Sequence, residues 1–152
     1  MATASMGKVT RVTSTLRADP YEACLNSNSF LGNLMHEMGI VQSIMDILEQ
    51  QAKMHRATRI VGVTLEFGAL TAVMPEAVRF AFEILSKGGM ADGARLDITI
   101  IPIKVLCLEC SKESIMDNYQ PFCPKCSSPT IQITEGRDEM RIVSLEVDGF
   151  EE

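Results

Sequence analysis

The chain has 152 residues, 46% hydrophobic and 22% charged. That make-up supports one modest core with a small appended module and excludes a disordered protein; no apolar run reaches the roughly 18 residues a membrane span needs, and residues 1–34 lack the apolar stretch of a secretory signal. Fourteen Lys and Arg against 20 Asp and Glu give a net charge of −6; residues 1–34 hold Lys8, Arg11 and Arg17 against Asp19 and Glu22, so the charge from Met35 onward is −7, a poor match for a phosphate backbone.

Residues 1–34 are rich in Ser, Thr and Asn and show no sustained period, so they are expected to be a disordered extension or the product of a misassigned start. The three cations among hydroxyl residues faintly resemble a mitochondrial transit peptide, but Asp19 and Glu22 weaken that reading. Cys24 is a lone thiol to which no role attaches. With no membrane segment, the protein is expected in the cytoplasm.

From Met35 the pattern sharpens. Ile40, Val41, Ile44, Ile47 and Leu48 recur at helical spacing, with Gln42, Asp46, Glu49, Gln50 and Lys53 opposite, which predicts an amphipathic helix from Met35 to about His55 and Arg56. The stretch RIVGVTLEFG alternates Val61, Val63, Leu65 and Phe67 against Gly62, Thr64 and Glu66, the period of a strand with one buried face. Pro75 opens a second helix with a core stripe of Val78, Phe82 and Leu85, and Gly88-Gly89 ends it. Two further strands put Leu96, Ile98 and Ile100, then Val143, Leu145 and Val147, each on one face. The expected fold is α+β: two helices packed on a three-stranded sheet, with a cysteine module inserted before the last strand. Residues 35–103 and 134–152 form the main domain, residues 104–133 the module.

Cys107 and Cys110, then Cys123 and Cys126, form two C-x-x-C pairs, and in a reducing compartment such pairs suggest a metal site rather than disulfides. Two tight turns can aim four thiolates at one tetrahedral centre, for which zinc is the default ion and iron the alternative. Four sulfur ligands leave no vacant position, so the zinc is structural. The segment holds few apolar residues and is expected to depend on the ion for its fold.

Two rival functions follow from the same cysteines. A zinc ribbon can serve as a protein- or nucleic-acid-binding adaptor, but the module offers Lys112 and Lys125 against Glu109, Glu113 and Asp117 and has no aromatic and basic strip for stacking bases. A zinc deaminase needs H-x-E and P-C-x-x-C, whereas here Glu37 directly follows His36 and Phe122 precedes Cys123. No nucleophile–base set or phosphate-cradling glycine loop appears, so no catalysis is expected.

Met35-His36-Glu37 opening an amphipathic helix, LEFGALTAVMPEAVRFAFEIL, GARLDI, the two cysteine pairs and the closing EMRIVSLEVD together resemble the HypA/HybF hydrogenase maturation factors, which are nickel metallochaperones. The likeness runs from Met35 to about Asp148. It implies a nickel site at Met35, His36 and Glu37, a structural zinc at Cys107, Cys110, Cys123 and Cys126, a HypB-type GTPase as partner, and delivery of Ni2+ to the [NiFe]-hydrogenase large subunit, or to urease maturation proteins. A homodimer stays open. Many members carry Glu where this chain has Ala69, and in the family the nickel motif is terminal whereas here it is internal.

The chemistry gives that position its weight. A free α-amine on Met35, the backbone nitrogen of His36 and its imidazole can close fused chelate rings that favour planar Ni2+, with Glu37 adding a fourth donor. Read without the family, His36 and Glu37 are polar residues of a first helical turn, where a carboxylate suits the dipole.

Overall fold

A computed structural model of the chain describes residues 10–12, 16–17 and 30–150, with the backbone alone for 16–17 and 30–35. Cys24, Lys8, Asp19 and Glu22 lie outside the described residues.

The first helix, α1, runs from Phe30 to Met54 and so begins ahead of Met35. Ser29 is a residue type that favours a helix start, and Leu31 and Leu34 are good helix formers, so nothing in this stretch forces the helix to wait for Met35. Ile40, Val41, Ile44, Met45, Leu48 and Ala52 form its buried stripe. At Arg56 the backbone turns left-handed (φ 56°) and passes directly into β3, Ala57–Gly68. After a 3-10 turn at Ala69–Thr71, α2 occupies Pro75–Ser86 and buries Val78, Ala81, Phe82 and Ser86; Leu85 packs beside them, half-buried.

Strand β4, Arg95–Ile101, lies parallel to β3, so β3-α2-β4 is a crossover unit. The last strand, β8 (Met140–Phe150), runs antiparallel along the other side of β3. These three strands are the expected sheet. Its outer edge differs from expectation: Thr10–Val12 (β1) and Leu16–Arg17 (β2), within the segment read as a disordered extension, pair antiparallel with β8. A strand edge presents unpaired N–H and C=O groups whatever the period of the segment that meets them, which is why sequence periodicity does not reveal this pairing.

Two bulges also alter which side chains face the core. The β3–β8 register shifts between Ile60 and Gly62 and between Thr64 and Leu65. As a result Ile60 is fully buried and Val61 is not, while Ile142 takes the core position expected for Val143. One extra residue flips the alternation locally.

Residues 103–135 form a second sheet, β6-β5-β7, from Ile103–Cys107 (β5), Glu113–Met116 (β6) and Ile131–Glu135 (β7). Ile103, Val105 and Met116, with Ala69, Ile131 and Ile133 against them, give it a small core of its own. This corrects the expectation that the metal alone would organise the module: strand alternation places apolar residues spread from Ile103 to Ile133 on one face. The two sheets meet where Pro102 crosses Gly136. Gly136 has φ +83° and lies so close to the Pro102 carbonyl that a Cβ would collide with it. Its N–H donates to Glu139 Oε1 (3.0 Å), while the Glu139 carbonyl accepts from Gly68 N–H (2.8 Å).

Candidate metal centres

Strand β5 ends on Cys107, whose N–H donates to the Lys112 carbonyl (3.1 Å), closing a tight turn that brings Cys110 back over it. The second turn repeats the device: Cys123 N–H donates to the Ser128 carbonyl (2.8 Å) and Ser127 N–H to the Cys123 carbonyl (2.9 Å). The residue after each second cysteine, Ser111 and Ser127, is left-handed (φ 57° and 60°). These two serines shape the cysteine turns and were not singled out by the spacing alone; their shared place one residue past each pair was the available signal.

The turns bring all four cysteines together. The ligand sulfurs lie within 4.8 Å of one another, with Cys107 to Cys126 at 3.5 Å and Cys110 to Cys123 at 3.8 Å. A tetrahedral ion with metal–sulfur bonds of about 2.3 Å sets its ligand sulfurs about 3.8 Å apart, so the cluster fits one such ion. Backbone amides already point at two sulfurs: Cys110 N–H at Cys107 Sγ (3.5 Å) and Lys125 N–H at Cys123 Sγ (3.4 Å).

Those amides set the charge. The Cys110 amide holds the Cys107 thiol below its usual range, and the Lys125 and Cys126 amides bring Cys123 down to about 7. At Cys126 the Ser128 amide pulls the same way, but burial and the three neighbouring sulfurs together push the thiol up to about 12. Sulfurs this close cannot all ionise without a cation among them. The set therefore combines thiolate-stabilising donors with a need for positive charge, and it offers no fifth position at which chemistry on a substrate could occur.

Met35, His36 and Glu37 lie within α1 rather than at its start. Glu37 is the eighth residue of the helix that opens at Phe30. It is therefore beyond the first turn, where the helix dipole acts, and the dipole reading of this carboxylate fails. Its side chain is 2% exposed, and Oε2 has no hydrogen-bond partner. His36, the adjacent residue, is half-buried. The nitrogen of Met35 is a peptide nitrogen here, so of the three donors of the fused chelate the amine is missing. No helix among the described residues is long and apolar enough to cross a membrane.

Comparison with known proteins gives one consistent result. Residues 35–147 match the family model described as HypA, hydrogenase/urease nickel incorporation, metallochaperone. The chain is 42% identical over 114 residues to the hydrogenase maturation factor HypA of Azotobacter chroococcum, covering 75% of this chain and 100% of that protein. It is 39% identical over 112 residues to HybF of Klebsiella pneumoniae, with 74% and 98% covered. The solution structure of the Ni metallochaperone HypA from Helicobacter pylori superposes with a TM-score of 0.53 at 30% identity, over 74% of this chain and 97% of that one.

Proposed function

Because this chain belongs to the HypA family of hydrogenase and urease nickel-incorporation metallochaperones, non-enzymatic proteins of hydrogenase maturation, we propose that it carries Ni2+ on Met35, His36 and Glu37. It hands the ion to the large subunit of a [NiFe]-hydrogenase in the cytoplasm. A HypB-type GTPase is its working partner, and a urease maturation protein is the other recipient the family description admits.

One observation carries this reading. The family match opens on residue 35, so the Met-His-Glu triplet stands first in the matched stretch. A terminal amine there completes the fused chelate that a peptide nitrogen cannot, and a site with an incomplete shell exchanges its ion more readily than a saturated one. The buried Glu37 Oε2, without a partner, supports a carboxylate oriented for a ligand rather than for solvent. The zinc ion is held by Cys107, Cys110, Cys123 and Cys126 and is structural. It fastens the two turns, and its full sulfur shell keeps nickel chemistry away from that end.

The test is nickel titration of three forms: residues 1–152, residues 35–152, and the shorter form with His36→Ala, alongside intact-mass analysis of the native protein. The shorter form is expected to bind one Ni2+ in a planar, nitrogen-rich site, the longer form to bind far more weakly, and His36→Ala to abolish the planar spectrum. Equal affinity in the long and short forms would overturn the terminal chelate.

A further inference from the structure

The edge of β8 that faces away from β3 is taken by β1 and β2, which lie outside the family match. In their register Arg11 stands opposite Glu146 and Val12 opposite Leu145, while Leu16 stands opposite Ile142 and Arg17 opposite Arg141. Arg11 Nη2 reaches Glu146 Oε1 at 3.3 Å.

Consider a second β8 laid antiparallel against the first about a two-fold axis normal to the sheet, with Arg141 opposite Glu146 of the second copy. Ile142 then faces Leu145 and Met140 faces Val147 on the buried face, while Arg141 and Glu146 meet on the other, so the two members of each pair share a face. The bulge at Val143 and Ser144 falls opposite the same two residues of the other strand, so the irregularity that would spoil other registers is matched in this one. The leading segment reproduces the arrangement. Arg11 stands where Arg141 of the second copy would, Val12 where Ile142 would, and Leu16 where Leu145 would. The sequences agree too, with TRVTS at 10–14 reading against MRIVS at 140–144. Arg17, in the place of Glu146, is the one position with the wrong charge.

We propose that the β8 edge is a self-association surface for a second copy of this chain, and that residues 10–17 are an internal imitation of β8 that covers it. Main-chain hydrogen bonds across the edge supply the affinity. Two symmetry-related Arg141–Glu146 pairs select the register, as an isologous contact requires. A chain without residues 1–34 joins two sheets into one, whereas the full chain satisfies its own edge. No step here depends on nickel or on zinc.

Residues 35–152 contain both hydrophobic cores, from Ile40 to Val147, and so make a sound test protein. Light scattering is expected to give a doubled molar mass for residues 35–152 and a single mass for the full chain. In the full chain, Arg11→Glu with Val12→Pro, which touches neither core, should release the edge and shift the mass towards double. In the short form, Glu146→Arg and Arg141→Glu should each return the single mass. Mixing the two should restore the double mass, because the exchanged charges then meet correctly. Arg141→Glu leaves the Arg95–Glu146 ion pair (3.2 Å) in place but removes the contact of Arg141 with Glu66 of β3 (3.8 Å), so thermal unfolding of each variant is measured beside its mass, and recovery of the double mass on mixing separates the charge effect from damage within the sheet. A short form that stays at single mass, or a double mass that survives Glu146→Arg alone, would overturn the proposal.

Discussion

The cysteine cluster and the Met35–Glu37 stretch of α1, the sites proposed above for zinc and for nickel, differ in how much of the site the fold assembles. Four sulfurs come from two turns that close through their own backbone hydrogen bonds, so the ligand geometry is present once those turns form. The helix stretch instead holds two side chains in a packed element and lacks its principal donor while Met35 is acylated by the residue before it. A preformed, saturated shell suits an ion that stays, and an incomplete one suits an ion that leaves.

The strongest way to break that contrast is to remove one ligand from the saturated side. Cys123→Ala should eliminate zinc binding and disorder residues about 104 to 130, since apparent binding energies of structural zinc are on the order of 10 kcal/mol. The α1–α2 core has no share in it. Metal analysis with amide exchange should show protection lost in the module and kept from Ile40 to Val63. Protection kept in both would make the small core of Ile103, Val105 and Met116 sufficient by itself.

The next largest effect concerns the helix side. Joining residues 1–34 to Met35 should weaken Ni2+ binding by more than roughly tenfold, which is about 1.4 kcal/mol or more. Acidification should separate the two sites further. Protons displace nickel first, as the Met35 amine takes them up. At the sulfur site, Cys107 and Cys123 (about 7) keep their charge longest as pH falls, while the proton that Cys126 holds in the metal-free cluster (about 12) is the one a bound cation displaces. Release curves followed with a metal-sensitive dye should show nickel leaving at the higher pH. The opposite order would undo the distinction between cargo and structural ion.

Between the two regions, Gly136→Ala should cost about 2–3 kcal/mol through its left-handed φ and the Pro102 carbonyl it faces. Thermal unfolding should shift while both metal stoichiometries hold. The smallest effect is expected from Ser111→Gly, where relief of a left-handed residue should raise the module's stability by about 0.5–1 kcal/mol with no loss of zinc.

Much of this was legible in the residues. Apolar spacing marked both helices, and the two C-x-x-C pairs marked the sulfur cluster because each pair is local and its turn geometry follows from the spacing. Val61 and Val143 were misplaced because a bulge is a property of two strands in contact, and neither strand announces it alone. The pairing of Thr10–Val12 with β8 was hidden for a related reason, since an edge selects its partner by hydrogen bonding and not by periodicity.

By itself, the sequence determined the two helices, the three central strands, the pairing of cysteines into two turns and the family register, all of which rest on interactions between residues close along the chain or on side-chain type. Only the tertiary structure decided that α1 starts ahead of Met35, that Glu37 is buried with an unpartnered oxygen, that the module owns a small core, and that the leading segment lies along β8. Those outcomes depend on what is brought close from far along the chain. Burial and edge pairing are settled by the neighbours a residue acquires, and a local pattern carries no record of them.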